Sequence, residues 1–127
     1  MKKHILVLAV STLFFAVHSS AQTSKQMVRL AKIVVDPAQL ADYNAALKKQ
    51  MSTAIATEPG VLTYYAVADK ADASHITILE IYADEAAYKR HIETPHFKAY
   101  KAAVQNMVKS LELTDVDLVG VAVKPRQ

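Results

Sequence analysis

Short runs of branched apolar residues alternate along this chain with longer stretches whose apolar positions recur every three or four residues. "QMVRLAKIVV" (26–35) is short and rich in branched side chains, which predicts a strand. "DPAQ" follows: Asp36 can cap a helix, Pro37 suits its first position and Gln39 can reach back as in a capping box. Leu40, Tyr43, Leu47, Met51, Ala54 and Ile55 then recur at helical spacing. "EPG" (58–60) ends that helix, because Pro59 cannot continue it and Gly60 permits the turn. "VLTYYAVA" (61–68) predicts a second strand and "DKADAS" (69–74) a polar loop. "HITILEIYA" (75–83) predicts a third strand, with Ile76, Ile78, Glu80 and Tyr82 on one face and Thr77, Leu79 and Ile81 on the other. "DEAAYKRHIE" (84–93) starts at an acidic cap and forms a short helix. "TPHFKAYKAAVQNMVKSL" (94–111) restarts it, with Phe97, Tyr100, Val104, Met107, Val108 and Leu111 as its apolar stripe. "ELTDVDLVGVAVK" (112–124) predicts the last strand.

The order β-α-β-β-α-β predicts an α+β, ferredoxin-like fold. Two crossovers of one hand place both helices on one face of a four-stranded antiparallel sheet. A sheet with one wet face should alternate cleanly between apolar and polar residues. The first strand does not: Val28, Leu30 and Val34 lie opposite Ala31, Ile33 and Val35. The third strand is apolar on both faces as well. Two helices cover only one face, so the other needs a partner, most simply a second copy of the sheet. Leaving it wet would expose a larger apolar patch than monomers usually carry. A homodimer with sheets packed face to face is therefore expected.

Composition sets the surroundings. Residues 1–21 read as a secretory signal, with a basic "MKKH", an apolar "ILVLAVSTLFFAV" and small residues Ser19 and Ala21 placed for cleavage. The apolar run falls short of the roughly 20 residues that span a bilayer. The expected mature domain is 22–127, periplasmic or secreted, with no stable membrane insertion after cleavage. The chain has 15 basic and 12 acidic residues, and Lys2 and Lys3 leave with the leader. The near-balance that remains gives no warrant for nucleic-acid binding. With no cysteine, disulfides and thiolate metal sites are excluded.

Four features could carry chemistry. "ETPHFKAY" (93–100) puts Thr94 at a helix N-cap, Pro95 at the first position and His96 at the second. The positive end of the helix disfavours an imidazolium there, so His96 is either a neutral proton acceptor or a histidine bonded to a backbone carbonyl. Glu80, among Ile76, Ile78 and Tyr82, must find a donor or shift its pKa upward. It could orient His96 or His91, act as a base itself, or reach water at the strand end. Tyr64, Tyr65, Tyr82, Tyr88 and Tyr100 offer flat apolar area with phenolic hydroxyls, which suits an aromatic, oxygenated ligand or ordinary packing. Tyr64 and Tyr65 must point to opposite faces. Arg29 is an anion anchor or an exposed edge charge. His75, His91 and His96 show no metal-binding spacing, so no metal is expected. With Gly60 and Gly120 the chain's two glycines, a phosphate-binding loop is excluded and no nucleotide cofactor is expected.

"EPGVLTYYAV" followed by "ITILEIYADEAAYKRHIETPHFKAY" resembles the antibiotic biosynthesis monooxygenase superfamily, in particular its small quinol monooxygenases. The likeness runs from about Val28 to Val123. It implies a dimeric α+β barrel, a pocket between sheet and helices, and oxidation of a phenolic or quinol substrate by dioxygen without cofactor. Glu58, Pro59, Gly60, Glu80, Tyr82, His91, Pro95, His96 and Phe97 match the family pattern. Pocket roles carry over to Glu80, Tyr82, His91 and His96, whereas the Glu58-Pro59-Gly60 turn reads as structural. The haem-degrading relatives use a tryptophan, which this chain lacks. The expected reaction has His96 deprotonate a quinol with help from Glu80, while Tyr64 or Tyr65 and Tyr82 hold the ring. A carrier of aromatic ligands and an isomerase of small hydroxyketones are the alternatives.

Overall fold

The computed structural model describes residues 25–126; the expected leader at 1–21 lies outside them. Strand β1 (Met27–Val35) leads through a 3₁₀ turn (Pro37–Gln39) into helix α1 (Leu40–Thr57). Strands β2 (Val61–Ala68) and β3 (His75–Tyr82) follow. Helices α2 (Glu85–His91) and α3 (Pro95–Val104) precede strand β4 (Val108–Val116). The caps that the sequence advertises are made. Asp36, Asp84 and Thr94 accept backbone N–H bonds from Ala38, Ala87 and Phe97, satisfying donors that a helix start leaves orphaned.

The sheet order is β2-β3-β1-β4, antiparallel throughout, which is the ferredoxin-like arrangement. Helices α1 and α3 lie on its inner face. There Ala31, Ile33 and Val35 of β1 and Ile76 and Ile78 of β3 pack with Tyr43, Leu47 and Val104 into the main core. A second cluster joins Ala54, Val61, Tyr82 and Ala87 where α2 docks. Gly60 belongs to this seam. Its backbone is not in the left-handed region. A Cβ there would stand 2.5 Å from that of Ala87, so close approach is what requires the glycine.

Two boundaries differ from expectation. The last helix stops at Val104 rather than at Leu111. The chain turns through Gln105 and Asn106, and the Met107 carbonyl accepts the Asp36 N–H. Val108 and Leu111 therefore belong to β4, where they pair with Val35 and Ile33. Pairing along the whole of β1 outcompetes two more helical turns. The last strand accordingly spans 108–116 instead of 112–124, and residues 117–126 have no regular structure.

Candidate active site

Strand register assembles a polar row across the inner face. Tyr64 on β2 stands opposite Glu80 on β3, Glu80 opposite Arg29 on β1, and Arg29 opposite Asp115 on β4. Above this row lies a cavity roofed by Leu47, Met51, Phe97, Tyr100 and Val104 from the helices and floored by Ala31, Ile33 and Ile78. Glu80, Tyr64, Tyr82 and Arg29 are its convergent polar groups. The cavity together with its open mouth, which includes solvent space, measures about 700 Å³.

Glu80 accepts the Tyr82 hydroxyl at 2.9 Å. Burial pushes its carboxyl above the usual range, opposed by that bond and by the charges of Arg29 and Lys101. A carboxylate so placed is readily protonated by a neighbouring acid. Arg29 does not bond it. The guanidinium donates to Asp115 at 2.8 Å and lies 4.4 Å above the Tyr88 ring, which fixes it at the cavity edge.

Behind Tyr82 the polar groups continue. The Tyr82 and Tyr64 hydroxyls are 2.9 Å apart, and Tyr64 is 2.8 Å from His91 Nε2. Burial, with the charge of Glu80, raises the pKa of both tyrosines, so both stay neutral and can donate and accept. His91 is fully buried. Its Nδ1 lies 2.8 Å from Glu58 Oε2, and the same oxygen lies 2.7 Å from His96 Nε2. A carboxylate oxygen only accepts, which puts a proton on His91 Nδ1 and leaves Nε2 to accept in the neutral ring. Burial lowers the His91 pKa, opposed by Glu58, in agreement with that form. The Gln50 amide, 3.1 Å from Nε2, is a second donor. Thr94 ties α2 to α3 by donating to the His91 carbonyl at 2.7 Å, which holds the two histidines side by side.

The structure brings Glu80, Tyr82, Tyr64 and Arg29 to the cavity. His91 stands directly behind Tyr64. Two expected positions are corrected. Tyr65 lies on the outer face, 60% exposed, because neighbours in a strand point oppositely. His96 does not line the main cavity; it borders a separate hollow between α1 and α3, with Ala46, Lys49, Thr53 and Ala99. Its partner is Glu58, not Glu80. The turn read as structural thus supplies the carboxylate that joins both histidines. Gln50 was also missed, although a glutamine on the apolar stripe between Leu47 and Ala54 was a visible signal.

Glu58, His91 and His96 present donor atoms within 4.8 Å of one another, a set that could hold a divalent ion. The Glu58 oxygen is at hydrogen-bond distance from both rings, however. Tetrahedral ligands about 2.0–2.1 Å from one metal would have to stand farther apart than this. As it stands the cluster is joined by hydrogen bonds.

The sequence profile described as antibiotic biosynthesis monooxygenase matches residues 27–103. Among solved structures, a candidate antibiotic biosynthesis monooxygenase from Bacteroides thetaiotaomicron VPI-5482 is 52% identical, with a TM-score of 0.75 over 80% of this chain and 96% of that one. A candidate monooxygenase from Lactobacillus acidophilus NCFM is 30% identical, with a TM-score of 0.70 over 73% of this chain and 45% of that one. A candidate antibiotic biosynthesis monooxygenase from Caulobacter crescentus CB15 is 27% identical, with a TM-score of 0.71 over 77% and 93%. No curated protein matches the chain with significance.

Proposed function

The chain belongs to the antibiotic biosynthesis monooxygenase family, and we propose that its inner cavity oxidises a quinol or related phenol with dioxygen, without metal or flavin. The observation that carries this reading is a buried carboxylate facing an aromatic-lined cavity. An aromatic ring fits between the apolar roof and floor, with one hydroxyl against Glu80 and the Tyr64 and Tyr82 hydroxyls beside it. Glu80, rather than His96, is the group placed to take the phenolic proton. The anion left behind is electron-rich enough to pass an electron to dioxygen. The radical pair recombines at a ring carbon. The O–O bond then breaks, one oxygen stays on the ring as a carbonyl, and the other leaves as water with two hydrogens from the substrate. The charges of Arg29 and Lys101 near Glu80 favour the anion.

Two further elements belong to this reading. The outer face carries Tyr65 and Val67, 60% and 62% exposed, beside the half-buried Leu30, Val34 and Leu79. A second copy packed face to face would cover it with a self-complementary interface. The leader-like composition of residues 1–21 supports a location outside the cytoplasm, where a phenolic substrate would be met.

Oxygen uptake with a panel of dihydroxynaphthalenes and benzoquinols tests the reaction. Uptake that scales with enzyme and is lost in Glu80→Gln is expected. A ligand-dependent rise in Tm with no uptake would make the protein a carrier instead.

A further inference from the structure

Glu80, Tyr82, Tyr64, His91, Glu58 and His96 form an unbroken series with consecutive separations of 2.9, 2.9, 2.8, 2.8 and 2.7 Å. One end faces the cavity, and the other borders the hollow between α1 and α3. His96, 22% exposed, meets solvent there. We propose that this series is a proton relay connecting the cavity to the surface, with His91 as its central carrier and His96 as its outer terminus. The inference rests on the monooxygenase reading for its purpose, though not for its geometry.

Counting protons supports the relay. With both carboxylates ionised and both rings neutral, Tyr82, Tyr64, His91 and His96 each bring one proton to the series. The series has five links, so one link lacks a hydrogen. A proton arriving at Glu80 completes the set: Glu80 donates to Tyr82, Tyr82 to Tyr64, Tyr64 to His91 Nε2, and both rings to Glu58. If the three protons between Glu80 and His91 then each shift one place, while the two ring protons facing Glu58 stay, Glu80 is ionised again and His91 is an imidazolium between Tyr64 and Glu58. The total number of protons is unchanged between these two states, and every link is made in both. The substrate O–H bond breaks, the Glu80 O–H bond forms, and the charge moves to the ring beside Glu58. From there the proton moves from His91 Nδ1 to Glu58. With the partly exposed His96 carrying its hydrogen on Nδ1, Nε2 accepts that proton from Glu58 while Nδ1 releases one to water, which returns His96 to the form that donates to Glu58. The same path runs inward when the departing oxygen needs a proton to leave as water. An aromatic filling the cavity would shut water away from Glu80, which is when an internal route is needed. The two tyrosines suit the task because neither ionises, so each can only pass a proton on while receiving another.

Two measurements test the relay, and one needs no substrate. In protein labelled with ¹⁵N-histidine, His91 in the wild type should show Nε2 as its unprotonated nitrogen, and Glu80→Gln should shift its ring signals and its titration. In the Tyr64→Phe background, the same Glu80→Gln change should leave His91 unmoved. A shift that persists through Tyr64→Phe means that Glu80 and His91 sense each other only through space, and overturns the relay. The second measurement is oxygen uptake with a dihydroxynaphthalene in weak buffer. His96→Ala should lower kcat with KM unchanged, by less than the roughly 100-fold that loss of a direct base costs, and added imidazole should restore it. An unchanged kcat, or a loss that imidazole does not rescue, overturns the outer terminus. If wild-type protein takes up no oxygen, the monooxygenase reading fails, and the histidine spectra still decide the relay by themselves.

Discussion

The two faces of the sheet are both apolar in composition and opposite in character. The inner face holds Glu80, Tyr64, Tyr82 and Arg29 among aliphatic neighbours, beneath two helices. Among the described residues no buried side-chain nitrogen or oxygen lacks a hydrogen-bond partner, so each buried polar group set into this face has at least one. The outer face has an apolar part, where Tyr65, Val67, Leu79, Leu30 and Val34 present mostly hydrocarbon, beside exposed polar groups at Lys32, His75, Ser110, Glu112 and Thr114. The difference shows that apolar surface serves two ends here. Inside, it raises the proton affinity of the one carboxylate it surrounds. Outside, it is a surface that gains most by being covered.

The largest way to break this contrast is to remove the inner carboxylate. Glu80→Gln should lower oxygen uptake by roughly 10²–10⁴-fold, the usual contribution of a positioned acid–base group. The same variant should be more stable than wild type near neutral pH. The folded-state pKa of Glu80 is raised, so the native protein binds more protons than the unfolded chain above the carboxyl's ordinary value, and wild-type stability falls as pH climbs through that window. The difference in Tm between variant and wild type should therefore grow from about pH 4.5 upward and then level off. A difference independent of pH would show that burial does not raise this carboxyl.

His91→Ala attacks the hub behind the inner face. It opens a cavity and strips partners from Gln50, Tyr64 and Glu58, for a cost of about 3 kcal/mol in urea unfolding. His91 also responds to acid in the opposite sense to Glu80. Its folded pKa is lowered, so below about pH 6.5 the unfolded chain takes up a proton that the native ring resists, and stability is lost as pH falls. His91→Gln should flatten that acid limb. A smaller expected effect concerns the outer face. Tyr65→Asp should weaken self-association by about 2 kcal/mol, read by sedimentation equilibrium, while leaving oxygen uptake per folded site measurable. A wild type that sediments as a monomer at micromolar concentration would remove the outer face from the argument. The smallest effect belongs to the seam under α2. Gly60→Ala places a methyl 2.5 Å from Ala87 Cβ and should cost about 1–2 kcal/mol, seen as a lower midpoint in urea with an unchanged m value.

Periodicity decided the elements by itself. The branched runs gave β1, β2 and β3 to within a residue or two, because side-chain alternation and turn residues are local properties. Asp36, Asp84 and Thr94 marked their helix starts for the same reason. That Ile76, Ile78, Glu80 and Tyr82 share one face of β3 followed from the two-residue repeat, whereas the packing shows that this face meets the helices. What failed was set by pairing at a distance. "MVKSL" carries helical spacing, yet β1 offered a full row of backbone partners, and β4 claimed the segment.

The site divided along the same line. Sequence alone could single out Glu80 as a carboxylate in apolar company, and His91 and His96 as notable rings, because those are facts of type and neighbourhood. It could not pair them, since partners depend on where α1 ends relative to α2 and α3. Only the packed chain carries Glu58 across from the end of α1 to lie between the two histidines, turns Gln50 onto His91, and leaves His96 outside the cavity. Hydrogen bonds reach about 3 Å, and no local pattern specifies positions across 33 or 38 residues of chain to that tolerance; the docking of three helices on one twisted sheet does.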